Sequence, residues 1–279
     1  MERDRFFMKT KLMLLVALLW GLVLLAGCSN NPKQVEETWV LEQEKVFTFS
    51  DGESLNLWRK YHIVDAVYKL SDGTTLLTIQ SPIGPDNVYV GGVESFADLN
   101  ESAQIAIREF YKEQGLLYDT QTELENAYEE YLICRESGKV YQERYISQAI
   151  VPTASNDNII CFLTSVTLPV DGRIAQEIRL GATFDRKTGQ VLSNWDLFTL
   201  PEDAARQWLL DAFDVAPALR DEMKAALRPE YIVLFPQNLE VTFPRGTLLS
   251  QEHSYIVSLD YDELRAVFQT WAIPKTDKR

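Results

Sequence analysis

The chain has 279 residues, 46% of them hydrophobic, so it is long enough to bury one large core or two smaller ones. Its formal net charge at neutral pH is −14, from 41 acidic and 27 basic residues. So acidic a composition argues against binding nucleic acid or lying flat on an anionic membrane, and it favours either a cationic partner or simple solubility.

Residues 1–27 have the pattern of a secretory signal peptide. Two lysines precede an apolar run, Leu12 to Leu25, which is shorter than the roughly 20 residues of a membrane-spanning helix. The run leads into Leu-Ala-Gly-Cys28, which resembles a bacterial lipobox. That resemblance implies acylation of the Cys28 thiol and cleavage before Cys28. It places the chain, lipid-anchored, at the outer face of the bacterial cytoplasmic membrane. An uncleaved signal anchor is the alternative.

The next stretch is predicted to change from a tether to β-structure. Residues 28–45, which include the lipidated Cys28, are polar and lack a core period, so we interpret them as a tether. Residues 46–90 form an N-terminal β-rich segment. Within it, Ser71-Asp72-Gly73 is a turn signal between two β-rich runs, which predicts a hairpin over 62–80.

Residues 91–184 are predicted to form a first α+β half, with helices followed by a meander. Asn100 or Ser95 is expected to cap a helix that ends at Gly115. The glutamates of the next helix are interpreted as a solvated face rather than a metal site. The predicted elements are helices over 100–115 and 122–131, and strands over 132–135, 140–151, 158–168 and 174–184. Short polar turns between these strands predict antiparallel pairing.

Residues 185–275 are predicted to form a second α+β half. It opens with a tight turn in which Gly189 takes a positive φ and Asp185 accepts backbone hydrogen bonds. Asp260 and its acidic neighbours are expected to cap the last helix. The predicted elements are helices over 201–215, 217–227 and 261–271, and strands over 231–235, 239–243 and 255–259. Strands and helices occur in blocks, so the fold class is α+β, with antiparallel meander sheets packed against helices.

Three segments of the second half resemble a known domain pair. They are TFDRKTGQVLSNWDLF at Thr183–Phe198, LFPQNLEVTFPRGT at Leu234–Thr247 and SLDYDELRAVF at Ser258–Phe268. In this order they resemble the extracytoplasmic DUF4163 and DUF3298 domains, whose biochemical activity is unknown. This pair forms the ectodomain of lysozyme-sensing anti-sigma factors and an accessory part of peptidoglycan deacetylases. The resemblance implies the architecture and a binding or sensing role.

Two features of those families are not expected in this chain. Only 11 residues precede the apolar run, which is too few for the sigma-binding segment of an anti-sigma factor. The catalytic metal domain of the deacetylases is not expected to fit in the remainder of the chain. Thr183-Phe184-Asp185 resembles the start of the deacetylase motif TFDD, but Arg186 replaces its second aspartate. The two histidines, His62 and His253, are far apart in the sequence and are interpreted as structural or surface residues. We therefore expect no metal, no cofactor and no catalytic residue.

The expected function is a surface-anchored, non-enzymatic binding or sensing module at the cell envelope. Its partner is expected to be a cationic protein such as lysozyme, or wall glycan (peptidoglycan), and not nucleic acid. Tyr141 and Tyr145 are expected to share one face of a strand, which makes them candidates for contact with the ligand. An envelope hydrolase with an unrecognised carboxylate or histidine site is one alternative. A structural or assembly lipoprotein is the other.

Two further cysteines, Cys134 and Cys161, lie in apolar segments that the pattern predicts to be strands. Export permits a disulfide between them. Two buried free thiols are the alternative interpretation.

Overall fold

Eight strands form the main sheet of the computed structural model, which describes residues 39–60, 63–170 and 173–275. Neighbouring strands are antiparallel except the pair Thr75–Ile79 and Arg144–Ser155, which run parallel. The sheet is therefore mixed, with two antiparallel meanders joined by one parallel pair. In spatial order its strands are β1 (Trp39–Thr48), β2 (Ser54–Lys60), β3 (Ile63–Leu70), β4 (Thr75–Ile79), β5 (Arg144–Ser155), β6 (Ile159–Val170), β7 (Arg173–Asp185) and β8 (Val191–Leu192).

Two helices lie in the crossover that the parallel pair requires. Helix α1 (Glu101–Gln114) begins after Asn100, whose side chain accepts a hydrogen bond from the Ala103 amide at 2.9 Å. It ends at Gly115, where φ is +64°. Helix α2 (Thr120–Glu136) begins after Asp119, which caps the Thr122 amide at 2.7 Å. Antiparallel strands can be joined by a tight turn, whereas a parallel pair needs such a long connection.

The α+β class is confirmed, but the predicted hairpin over 132–151 is wrong. Leu132 to Arg135 form the last turn of α2, and only the second predicted strand exists, as β5. A short apolar run is compatible with either a strand or a buried helix segment. Here the helix continues because Tyr131 and Leu132 pack against the core under α2. The meander prediction holds within each antiparallel part and fails at the β4–β5 joint.

A smaller antiparallel sheet and three helices complete the C-terminal part. Its strands lie in the spatial order Tyr255–Asp260, Asn238–Phe243 and Ile232–Leu234. The predicted closing helix over 261–271 is much shorter, since regular helix ends at Leu264. A separate 3-10 turn follows at Thr270–Ala272. The elements are α3 (Glu202–Ala212), α4 (Pro217–Ala226), β9 (Ile232–Leu234), β10 (Asn238–Phe243), β11 (Tyr255–Asp260) and α5 (Tyr261–Leu264).

Close backbone contacts at two glycines attach other elements to β7 and its turn. A Cβ atom at Gly181 would lie 2.1 Å from the carbonyl oxygen of Ile232, so β9 packs directly on β7. Gly189 has φ +72°, as predicted, and a Cβ there would lie 2.4 Å from the carbonyl oxygen of Ala103. The side-chain amide of Asn100 donates to the Lys187 carbonyl at 2.8 Å, so the turn after β7 is held against the start of α1.

The predicted role of Asp185 is confirmed. One of its carboxylate oxygens accepts hydrogen bonds from the Lys187 amide at 3.0 Å and the Thr188 amide at 2.7 Å. The Thr188 hydroxyl donates to the same oxygen at 2.9 Å. Partial burial opposes ionisation of Asp185, but the hydrogen bonds from Thr188 and Lys187 outweigh it and hold the pKa of the carboxyl below its ordinary value.

Three hydrophobic clusters form the interior of the described residues. One lies under α2, and a second lies between α1 and the middle of β5 to β7. The third surrounds the small sheet and also buries Ala154, Ile159 and Cys161 of the main sheet. The C-terminal core therefore includes residues from the predicted first half.

The predictions for the N-terminal segment have two outcomes. Strand β1 begins at Trp39, so residues 39–45, predicted to belong to the tether, form a strand. Strand β1 pairs with the next strand through backbone hydrogen bonds, which the polar side-chain composition of the segment does not reveal. Residues 1–38, with the predicted signal peptide and Cys28, lie outside the described residues, as does His62.

Candidate binding groove

Helix α2 is amphipathic in its contacts. Leu124, Ala127 and Tyr128 are buried against the core that includes β4. Three glutamates of the same helix are exposed: Glu125, Glu129 and Glu136. The predicted solvated face is confirmed for Glu125 and Glu129, whereas Glu123 and Glu130, which were predicted to belong to it, pair with Arg144. The sequence places one basic residue in this helix, Arg135, so the exposed side of α2 is strongly acidic.

Arg144, the first residue of β5, ties α2 to the main sheet. Its guanidinium contacts Glu130 at 2.9 Å and Glu123 at 3.4 Å, and it donates to the Pro169 carbonyl at 3.1 Å. The side chains of Arg144 and Glu123 are only 14% and 13% exposed. Such pairs are retained only where the geometry compensates the loss of hydration, and here one guanidinium contacts three acceptors. The network fixes the position of α2 against the ends of β5 and β6.

A groove with a volume of about 370 Å³ lies beside this network. It forms where α2, the start of β5, the end of β6 and the turn after β10 meet. Its lining residues are Asn126, Glu129, Glu130, Ile133, Arg144, Pro169 and Arg245. Charged, amide and apolar side chains therefore share one concave surface.

Arg245 is held in place by its backbone. Its amide donates to the Glu177 carbonyl of β7 at 2.9 Å. The turn continues through Gly246, with φ +81°, and closes with the Thr247 amide donating to the Pro244 carbonyl at 3.1 Å. Among the residues that the structure describes, the Arg245 guanidinium makes no ion pair or hydrogen bond.

Four aromatic rings form a row that includes two residues of α2 and one of the predicted ligand-binding tyrosines. Phe49 stacks on Tyr128 at 3.8 Å between ring centroids, Tyr128 stacks on Tyr131 at 6.0 Å, and Tyr131 meets Tyr141 edge-on at 5.6 Å. The Tyr141 hydroxyl donates to the Leu76 carbonyl at 2.8 Å. Burial, and then the nearby charge of Glu130, raise the pKa of Tyr141 well above its ordinary value. The ring and hydroxyl of Tyr141 therefore contact other residues of the protein rather than a free surface.

Tyr145 lies in β5, whereas Tyr141 precedes the strand, so the two do not share a strand face as predicted. The Tyr145 hydroxyl donates to the Gln80 side chain at 2.7 Å. Both tyrosines are half-buried with bonded hydroxyls. Sequence reasoning missed the groove residues Glu129, Arg144 and Arg245, because each comes from a different element and no local motif connects them.

Cys134 and Cys161 are free thiols in the structure, so the suggestion of a disulfide between them is wrong. Cys134 lies on α2 and is half-exposed, whereas Cys161 is buried on β6. Burial raises the pKa of the Cys161 thiol to about 12, and the Thr183 hydroxyl lies 3.6 Å from its sulfur. A thiol with so high a pKa is inert at neutral pH.

A histidine and a carboxylate do meet, but away from the groove. His253 Nδ1 lies 3.1 Å from Glu177 Oε1, and the Ser254 amide donates to Glu177 Oε2 at 2.8 Å. Glu177 is fully buried, so these contacts hold the loop before β11 on β7. Neither residue lines the groove. Within residues 39–60, 63–170 and 173–275, no group of three or more His, Cys, Asp or Glu side chains is placed to hold a metal ion.

A second concavity, of about 740 Å³, lies at the C-terminal end of the described chain. Asp262 and Arg265, which line it, form an exposed ion pair at 2.8 Å. Asp260 is the N-cap residue of α5, as the sequence predicted, and its backbone amide donates to the Glu263 carboxylate at 3.3 Å. The lining residues are Gln237, Asp260, Tyr261, Asp262, Arg265, Thr270, Ile273 and Pro274.

Comparison with known proteins finds two solved structures that are similar to this chain at low sequence identity. No protein-family model matches the chain, and no curated protein matches it. Across the part of the chain that the structure describes, no helix is long and apolar enough to cross a membrane. The chain is similar to the solved structure of a DUF3298 family protein from Pseudomonas aeruginosa PAO1, with 13% identity, a TM-score of 0.34, and coverage of 85% of this chain and 94% of that one. It is also similar to a DUF3298 family member from Bacteroides fragilis, with 12% identity, a TM-score of 0.41, and coverage of 85% and 93% respectively.

Proposed function

We propose that the protein is a lipid-anchored, non-enzymatic binding module of the bacterial cell envelope, and that it binds a cationic protein such as lysozyme through the exposed face of α2. The observation that carries the proposal is the row of exposed carboxylates at Glu125, Glu129 and Glu136 on a helix that Arg144 fixes to the sheet. A fixed row of like charges attracts an oppositely charged protein and accelerates its encounter.

Charge reversal on this face is expected to weaken binding of lysozyme to the full-length protein in detergent. We expect Glu125→Lys with Glu136→Lys to lower the affinity at least about tenfold at low ionic strength, because both carboxylates leave the contact surface. Asp214→Lys with Asp221→Lys is the matched control, since it changes the net charge equally at exposed positions near α4. We expect less than about a threefold change for this pair.

Biolayer interferometry at two salt concentrations measures both effects. A local site predicts loss for the α2 pair alone and weaker binding at higher salt, where surface charges are screened. Equal loss in both double variants would show that only net charge matters. Saturable binding to purified peptidoglycan without binding to lysozyme would identify wall glycan as the partner. Release of soluble fragments from that peptidoglycan would contradict the non-enzymatic assignment.

The lipid anchor makes a separate prediction about Cys28. The Leu-Ala-Gly-Cys28 segment supports acylation of this thiol. In cells fed an alkyne-bearing fatty acid, the wild-type protein is expected to take up the label and to fractionate with membranes. Cys28→Ala is expected to lose the label, whereas Cys134→Ala is expected to keep it. An unlabelled wild-type protein, or a labelled Cys28→Ala variant, would refute the anchor.

A further inference from the structure

The groove beside α2 differs in charge from the exposed face of the same helix. Of its four charged lining residues, Glu130 and Arg144 neutralise each other at 2.9 Å. The other two are Glu129 and Arg245. Within the described part of the chain, neither of their side chains has an ion-pair or hydrogen-bond partner. The groove thus combines one available carboxylate with one available guanidinium.

Both available groups are carried by positions that the fold fixes. Glu129 lies on α2, which the Arg144 network attaches to β5 and β6. Arg245 lies on the closed turn after β10, whose backbone is bonded to β7. Their relative placement therefore does not depend on a ligand, and such preorganisation lowers the entropic cost of binding.

A ligand that satisfies both groups must carry both signs of charge. A guanidinium matches a carboxylate with two parallel hydrogen bonds, and a carboxylate accepts hydrogen bonds from an ammonium group. A purely cationic ligand would meet Arg245, and a purely anionic one would meet Glu129 and Glu130. Ile133, 58% exposed, and Pro169 add an apolar wall to the lining of the groove. A volume of about 370 Å³ is at the small end of the range for small-molecule sites.

We propose that this groove binds short free peptides, with the peptide amino group at Glu129 and the peptide carboxylate at Arg245. This site shares Glu129 with the proposed lysozyme-binding face, but it differs from that face in requiring Arg245, which lies outside α2. A peptide of two or three residues carries the required charges at its two ends. The Ile133–Pro169 wall would contact its side chains.

Calorimetric titration of the full-length protein with the dipeptide alanyl-alanine tests the site. Acetylation removes the ligand's positive charge, and amidation removes its negative charge. We expect each modification to weaken binding to the wild-type protein by about tenfold, which is the loss of one charge-assisted hydrogen-bonded contact. The all-l and all-d dipeptides are titrated separately, because an l-peptide would come from proteins and a d-peptide from the cell wall. Binding of either supports the site.

Two single variants give a diagnostic pattern. Arg245→Gln is expected to lose about tenfold in affinity for alanyl-alanine and to become insensitive to amidation, while acetylation still weakens binding. Glu129→Gln is also expected to lose about tenfold in affinity, but it should become insensitive to acetylation while amidation still weakens binding. Glu101→Gln and Lys224→Gln, at exposed positions on α1 and α4, are the charge-matched controls and are expected to bind like wild type.

Two results would overturn the proposal. One is the absence of saturable heat with either dipeptide. The other is binding that responds to acetylation and amidation equally in all the variants. Lysozyme binding, measured on the same Arg245→Gln sample, reports whether the variant is folded and whether the α2 face still works. Failure of the peptide site is therefore distinguishable from failure of the proposed function.

Discussion

Gly181→Ala is expected to lower the free energy of unfolding by about 3 kcal/mol, at the upper end of the range for overpacked interiors. The added Cβ would lie 2.1 Å from the Ile232 carbonyl oxygen and 2.9 Å from its carbonyl carbon. Both are backbone atoms, so no side-chain rotation relieves the overlap. Strand β9 would have to move away from β7, and the core around the small sheet would loosen with it.

Gly91→Ala is the matched control for this glycine. No atom lies within 4 Å of a Cβ built at Gly91. Alanine also reduces the entropy of the unfolded chain, so we expect a change near zero or slightly stabilising. Urea unfolding followed by tryptophan fluorescence measures both variants, because Trp195 is buried in the core beside β9. Wild-type stability in Gly181→Ala would mean that β9 does not pack on the β7 backbone.

Arg144→Met is expected to cost about 3 kcal/mol, which is typical when one partner of a buried ion pair is removed. Methionine keeps the apolar stem and removes the guanidinium. Glu123, whose side chain is 13% exposed, would then be left without its cation. The carbonyl of Pro169 would also lose its donor. We expect α2 to detach from β5 and β6 before the rest of the chain unfolds.

The control for Arg144 is Arg265→Met, which removes an exposed pair. The side chains of Arg265 and Asp262 are 73% and 82% exposed, so we expect less than about 0.5 kcal/mol. Adding Glu123→Gln to Arg144→Met should recover part of the loss, because it removes the unpaired buried charge. Hydrogen exchange of α2 amides, together with urea unfolding, measures these effects. Equal losses in Arg144→Met and Arg265→Met would show that burial does not strengthen the first pair.

Local chemistry explains what the sequence predicted correctly. The turn at Asp185–Gly189 and the cap at Asn100 depend on side chains that bond to backbone within a few residues. Such interactions are visible in a short window of sequence. The same holds for Gly73, whose φ of +89° closes the β3–β4 hairpin.

The incorrect and missed features depend on distant segments. Helix α2 continues through Leu132 because the core beneath it accepts that side chain, not because of local propensity. Tyr141 was expected at the surface, yet its hydroxyl is bonded to Leu76, 65 residues earlier. The groove itself requires Glu129 and Arg245, which line the same concavity only after α2 and the turn after β10 are placed. A single sequence contains no periodic signal for this proximity between residues of different elements.

The parallel joint between β4 and β5 has a kinetic consequence. Each meander is built from neighbouring strands and can assemble through short loops, whereas the joint must close the whole segment over 80–143. Closing so long a loop costs chain entropy, and the β4–β5 contacts compensate that cost only once α1 and α2 are in place. We therefore expect the two meanders to form early and the β4–β5 pairing to form late, so that the peptide groove and the acidic face of α2 are completed only in the last stage of folding.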